Sequence, residues 1–195
     1  MLALIFYVTA IRLLSLVIPG LPFPNAPARW IAPFRVADRY GVFANMTHAR
    51  YEIEFQGSTD AGKTWIAYPF RYKPQQVNRA PGIYAPYQPR FDWNLWFASS
   101  GPPQNNPFVL STKERLLKNE SDVLALFAGN PFPNPPPQEV RTVLYQYWFT
   151  DFETKRRTGA WWRQELLGEY GPSLERGPDG RIAVHDVQPI NQNEP

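Results

Sequence analysis

Arg50 to Gln56 alternates without interruption: Tyr51, Ile53 and Phe55 fall on one side, Arg50, Glu52, Glu54 and Gln56 on the other. Successive side chains of an extended chain point to opposite faces, so period two dictates a strand with one apolar and one polar face. Ile66, Tyr68, Phe70 and Tyr72 repeat the period after residues 57–65, and Pro69 excludes a helix there. The two runs predict a β-hairpin, and a chain built around a hairpin must complete a sheet to stabilise it.

The connection, GSTDAGKTW, fits two incompatible patterns. Gly57 to Thr64 reads G-x-x-x-x-G-K-T, a phosphate-binding loop, which needs a strand entering and a helix leaving. The period-two run after Lys63 denies it the helix, and no apolar strand ends in an Asp suited to magnesium. Ser58 to Trp65 reads S-x-D-x-G-x-T-W and resembles the Asp-box hairpin turn of sialidases and other β-rich proteins. A propeller would repeat this box; one copy points to a structural turn with Trp65 packed beneath it.

The chain has 195 residues, enough for one domain with a real core. Aromatics at 15% and 22 prolines, with little long helical periodicity, favour a β-rich α+β fold with many irregular connections, pictured as an antiparallel β-sandwich-like domain with short helices. The net charge of +3 comes from dispersed basic residues and gives no stripe for nucleic acid. With no cysteine, disulfides and Cys-based zinc sites are excluded; His48 and His185 lack metal-ligand spacing and read as strand or surface residues. No cofactor or metal is expected.

Residues 1–18, MLALIFYVTAIRLLSLVI, are apolar except for Thr9, Arg12 and Ser15. This is the minimum length for a membrane span, and no basic residue precedes the run as a secretory signal requires. It reads as a transmembrane helix, with an interfacial or buried helix as the alternative. Arg29, Arg35 and Arg39 follow it, which by the positive-inside tendency would place the domain in the cytoplasm.

Residues 19–33 form a Pro-rich connector, and FRVADRYGVFANMT reads as one or two strands broken at Gly41. FDWNLWFAS predicts a helix capped by Asp92, and two short helices follow, lined by Val109, Leu110, Leu116 and Leu117 and by Val123, Leu124 and Phe127. EVRTVLYQYWFT predicts a strand buried on both faces, DFETKRRTG a polar hairpin loop, and AWWRQELLGEY its returning partner. Residues 171–195 read as a flexible polar tail.

In order and spacing, RYGVFANMTHARYEIEFQGSTDAGKTWIAYPFRYKP, APYQPRFDWNLWFAS, RLLKNESDVLALFAGNPFPNPPPQEVRTVLYQYWFT and RTGAWWRQELLGEY resemble the C-terminal region of the lipase maturation factor family over residues 34–170. The resemblance implies a polytopic membrane protein family that assists the folding and assembly of secreted lipases. This chain has one candidate span, so the resemblance implies either a truncated form or a partner of a separate membrane subunit. It places the domain on the extracytoplasmic or endoplasmic reticulum lumenal side, against the positive-inside count.

Three functions follow as expectations. The first is a membrane-anchored, non-enzymatic folding or maturation factor that binds a protein client, such as a secreted lipase, or a polytopic membrane subunit. Arg90, Asp92, Trp93, Trp96, Trp161, Trp162 and Arg163 are its candidate partner-binding residues, since Trp and Arg are favoured at binding hot spots. Core packing is the competing role for each Trp. The second is a carbohydrate- or lipid-binding β-sandwich module using paired aromatics. The third, an enzyme, is disfavoured: Asp60, Asp92 and Glu165 sit in no catalytic constellation, and no Ser-His or Cys-His arrangement exists.

Overall fold

In the computed structural model, Arg50–Ser58 forms strand β1 and Ile66–Ala67 forms β2, an antiparallel hairpin in which Gly57 faces Ile66. Residues 2–18, 29–30, 32–34, 49–83 and 89–185 are described. The expected strands at 35–48, His48, and most of the connector at 19–33 lie outside them. The chain divides into two units, residues 1–48 and 49–195.

The turn at 58–65 is held by its own side chains. Ser58 Oγ accepts from the Gly62 amide at 3.0 Å, and Asp60 Oδ1 accepts from the Thr64 amide at 2.8 Å. Hydrogen bonds from Thr64, then Ser58, hold the exposed Asp60 carboxyl down at about 2. Ala61 and Gly62 both have positive φ, 57° and 74°, as this tight turn requires. The Arg141 guanidinium lies 4.1 Å from the centre of the Trp65 ring. Strand β2 leaves the turn where a phosphate loop would need a helix.

In the first unit, the helix expected over 1–18 forms as α1, Leu2–Val17. Thr9 and Ser15 bond their hydroxyls to the carbonyls of Ile5 and Arg12, each at 2.8 Å, which satisfies both within the helix. Its 16 residues rise about 24 Å. Among the described residues no helix is long and apolar enough to cross a membrane.

The second unit is one antiparallel sheet centred on β3, Glu139–Phe149. One edge of β3 pairs with all of β1, from Arg50 opposite Tyr147 to Ser58 opposite Glu139. The other edge is shared: β4, Trp162–Glu169, takes Val143 to Phe149, and β5, Ser173–Arg176, takes Glu139 and Val140. A bulge opposite Leu144 and Tyr145 shifts the β4 register. Strand β6, Ile182–His185, closes a hairpin onto β5. The segment expected as a tail therefore folds as far as His185, because β3 extends beyond the end of β4 and leaves an edge for β5 to pair.

Helices α2 (Arg90–Ala98), α3 (Pro107–Leu117) and α4 (Ser121–Leu124) cover one face. That face supplies Ile53, Phe55, Val140 and Leu144 to a core shared with Leu95, Val109, Leu116, Leu117, Phe127 and Phe132. Rings dominate it: Phe127 lies 5.8 Å from Phe55, 5.3 Å from Phe70 and 5.4 Å from Tyr68. Among the described residues there is no second sheet, so the sandwich expectation gives way to a helix-on-sheet, two-layer α+β arrangement. The expected loop at 151–159 instead carries α5, Phe152–Thr158; Asp151 accepts from the Thr154 amide at 2.7 Å and Gly159 ends the helix at φ 73°.

β3 is buried on both faces, as its sequence predicts. Val140, Thr142 and Leu144 face the helices, while Val143 and Tyr147 are buried on the opposite face. Over that second face runs the loop 71–83, with Gln75 Nε2 bonded to Glu54 at 2.9 Å and to the Tyr68 carbonyl at 3.1 Å.

Candidate partner-binding site

α2 begins after Pro89, and Asp92 is its third residue and not its cap. Leu95 and Ala98 enter the core, with Phe91 packed against it. On the remaining arc Trp93, Trp96 and Phe97, at spacings of one and three to four residues, gather into one cluster. Ring centres lie 6.2 Å apart for Trp93 and Trp96, 5.1 Å for Trp96 and Phe97, and 6.1 Å for Trp93 and Phe97. Both tryptophans are half-buried and Phe97 is 59% exposed. Arg90, exposed, starts the same helix.

The second predicted block sits elsewhere, where β3 hands over to β4. Trp162 is buried; it stacks on Phe149 at 4.3 Å and donates its indole N–H to the Arg79 carbonyl at 2.9 Å. The backbone amides of Trp161 and Trp162 both donate to the Val77 carbonyl. Trp162 is thus a pin between sheet and loop, with the packing role that aromatics at strand periodicity usually have. Trp161, half-buried, carries the Lys155 ammonium 3.0 Å from its ring centre, and exposed Arg163 lies 4.5 Å from that of Trp148. Neither the Arg90–Asp92 nor the Arg163–Glu165 ion pair forms.

Asp92 belongs to a group the sequence did not reveal. The free edge of β1 beyond β2 is closed by side chains: Lys73 Nζ donates to the Ile53 carbonyl at 2.9 Å and Ser99 Oγ to that of Tyr51 at 3.0 Å. Lys73 also meets Glu52 Oε2 at 2.9 Å, and Arg50 Nε meets Glu52 Oε1 at 2.8 Å. Asp92 is buried, and its Oδ1 has no hydrogen-bond donor among the described residues. Burial pushes its carboxyl up to about 6; the Lys73 ammonium eases the rise and the like charge of Glu52 adds to it. Polar alternation marks Glu52 as an exposed strand residue, and Lys73 stands alone in a Pro-rich loop, so neither position carries a signal of burial.

A second buried network ties the helices to the strands. Lys113, on α3, donates to Thr142 Oγ1 at 3.3 Å and to the Pro172 carbonyl, and burial draws its ammonium down to about 8. The Tyr170 hydroxyl lies 2.7 Å from the Ala98 carbonyl and accepts from Asn106 Nδ2 at 3.1 Å. Exposed His185 meets Glu175 at 2.9 Å. Among the described residues no group of three His, Cys, Asp or Glu could hold a metal ion.

The arrangement presents aromatic and basic side chains at the surface of the sheet-and-helix unit. The lipase maturation factor C-terminal domain model matches residues 36–172. Lipase maturation factor 2 of Gallus gallus is 36% identical over 165 residues, covering 80% of this chain and 23% of the relative. The Homo sapiens lipase maturation factor 2 is 38% identical over 149 residues, 73% of this chain and 20% of the relative. Bos taurus lipase maturation factor 1 is 34% identical over 151 residues, 74% and 27%. The chain spans about a fifth to a quarter of the length of these relatives. No solved structure matches it.

Proposed function

Because the chain belongs to the lipase maturation factor family, we propose that it is a membrane-associated, non-enzymatic maturation module that holds a protein client or a membrane partner subunit. The client class is a lipase, as the relatives' names suggest for those proteins, and a secreted one if the domain faces the extracytoplasmic side. The unit spanning 49–195 works on the extracytoplasmic or lumenal side.

The observation that supports this reading best is the Trp93, Trp96 and Phe97 cluster. Three rings on one helix flank, with Phe97 mostly exposed, form an aromatic surface of the kind that anchors partners. Trp162, sealed beneath Phe149, serves the module as structure.

The test is co-purification of the tagged chain from its detergent-solubilised native membrane, in parallel with Phe97→Ser. Wild-type chain should bring a polytopic membrane subunit or a secreted hydrolase, and the variant, folded by circular dichroism, should lose it. Equal recovery with the variant removes the α2 surface from the reading. Recovery of the wild-type chain alone removes the reading itself.

A further inference from the structure

We propose that the pocket between the start of β1, the loop 72–82 and Trp162 is an anion subsite for an acidic side chain on an extended segment of a protein partner. It rests on the reading of this module as partner-binding and gives that partner a chemistry. The pocket holds about 210 Å³, and Arg50, Lys73 and Arg79 line it, with no carboxylate among the described residues of its walls.

The charges there are unequally engaged. Glu52, buried behind the pocket, accepts from Arg50 Nε at 2.8 Å and lies 2.9 Å from Lys73 Nζ, so Lys73 is neutralised from within. Arg50 retains its terminal guanidinium nitrogens, and its Cζ sits 5.4 Å from the centre of the Trp162 ring. Arg79 is exposed and forms no ion pair with any described residue. Two guanidinium groups at one pocket match the two oxygens of a carboxylate, which a guanidinium fork binds in plane.

The walls are built in advance. Trp162 donates to the Arg79 carbonyl at 2.9 Å, and the amides of Trp161 and Trp162 reach the Val77 carbonyl at 2.8 and 3.0 Å. The backbone carrying Arg79 is thereby fixed to β4, so binding an anion need not order the loop. Tyr72, Pro74 and Pro81 supply aromatic and prolyl walls, the surfaces that accept extended peptide backbone, over the buried Trp162 that supports them. These walls favour a peptide carboxylate over a free inorganic anion.

The test titrates the full chain with acetyl-Pro-Glu-Pro-amide, its Gln counterpart and inorganic phosphate, following the Trp162 indole N–H resonance, assigned with Trp162→Phe. The Glu peptide should move that resonance saturably, more weakly as salt rises. Arg79→Gln should weaken binding about fivefold or more, and the Gln peptide should leave the resonance in place. Equal response to both peptides, an unchanged affinity in Arg79→Gln, a response to phosphate alone, or no response up to about 10 mM Glu peptide each overturns the proposal. Arg79→Gln is also carried through the membrane co-purification. A partner retained there while the peptide fails to bind ends the subsite and leaves the partner-binding reading standing; a wild-type chain recovered alone ends that reading whatever the peptide does.

Discussion

The Lys73 ammonium lies 2.9 Å from the Glu52 carboxylate, with both side chains nearly sealed from solvent at 4% and 3% exposure. The pair closes the edge of β1: Glu52 projects from the strand, and Lys73 returns from the loop to meet it and to cap the Ile53 carbonyl. Lys73→Met leaves that carbonyl unpaired and removes one of the two cations on Glu52. The expected loss is about 3–5 kcal/mol. Lys73→Met combined with Glu52→Gln should lose clearly less than the sum of the two single changes, because the uncompensated charge is gone. A double-mutant cycle by urea denaturation measures this.

Asp92 gives the unit an acid-side gain in stability. Its carboxyl is raised from the ordinary 3.8 to about 6, so the folded state holds this proton more tightly than the unfolded chain. The contribution is complete below 3.8 and lost as pH rises through 6. Asp92→Asn removes the buried charge and should stabilise the protein at pH 7.5 by about 1–3 kcal/mol. That advantage should fade toward zero near pH 4. Denaturation midpoints of both proteins across this range provide the comparison, and a constant difference would rule the mechanism out.

Tyr170→Phe keeps the buried ring and deletes a hydroxyl that serves Ala98, Gly101 and Asn106 together. Two carbonyls and an amide then compete for partners where α2 ends, at an expected cost of about 1–3 kcal/mol. Faster amide hydrogen exchange at Ser99 and Gly101, with β3 unaffected, would locate the damage at the junction. Uniform loosening of the whole sheet would not fit this account.

Gly57 has no Cβ because the Phe132 ring occupies its place: a Cβ built there would come within 2.5 Å of that ring. Phe132 cannot easily yield, since its amide donates to Asn130 at 2.9 Å and its carbonyl accepts from Asn119 at 3.2 Å. Gly57→Ala should cost about 1–3 kcal/mol. Pairing it with Phe132→Leu should return part of that loss, measured by thermal unfolding of the single and double variants.

Local pattern carried the strands and most helices. Alternation in β1, the apolar run of β3, the Asp–Gly turn at 58–65 and the short helical periods at 107–124 depend on neighbours within a few residues, and these were legible. Residues 151–159 read as a polar loop because three consecutive basic residues masked a one-turn cap, Asp151 to Thr154. β5 and β6 were missed because four-residue strands have too little period of their own; they exist where β3 offers an unpaired edge.

By itself the sequence determined the family, the sheet-forming segments and the identity of the aromatic blocks, because each is written in contiguous spacing. Only the tertiary structure decided which aromatics are surface and which are core, that helices and not a second sheet cover the first, and that Glu52 and Lys73 pair in the interior with Asp92 buried within reach of their charges. Those outcomes depend on contacts between residues far apart in sequence, from 20 positions for Lys73 and Ile53 to 83 for Trp162 and Arg79, where the placement of one edge or one helix flank sets burial and charge. One-dimensional periodicity holds no record of that placement.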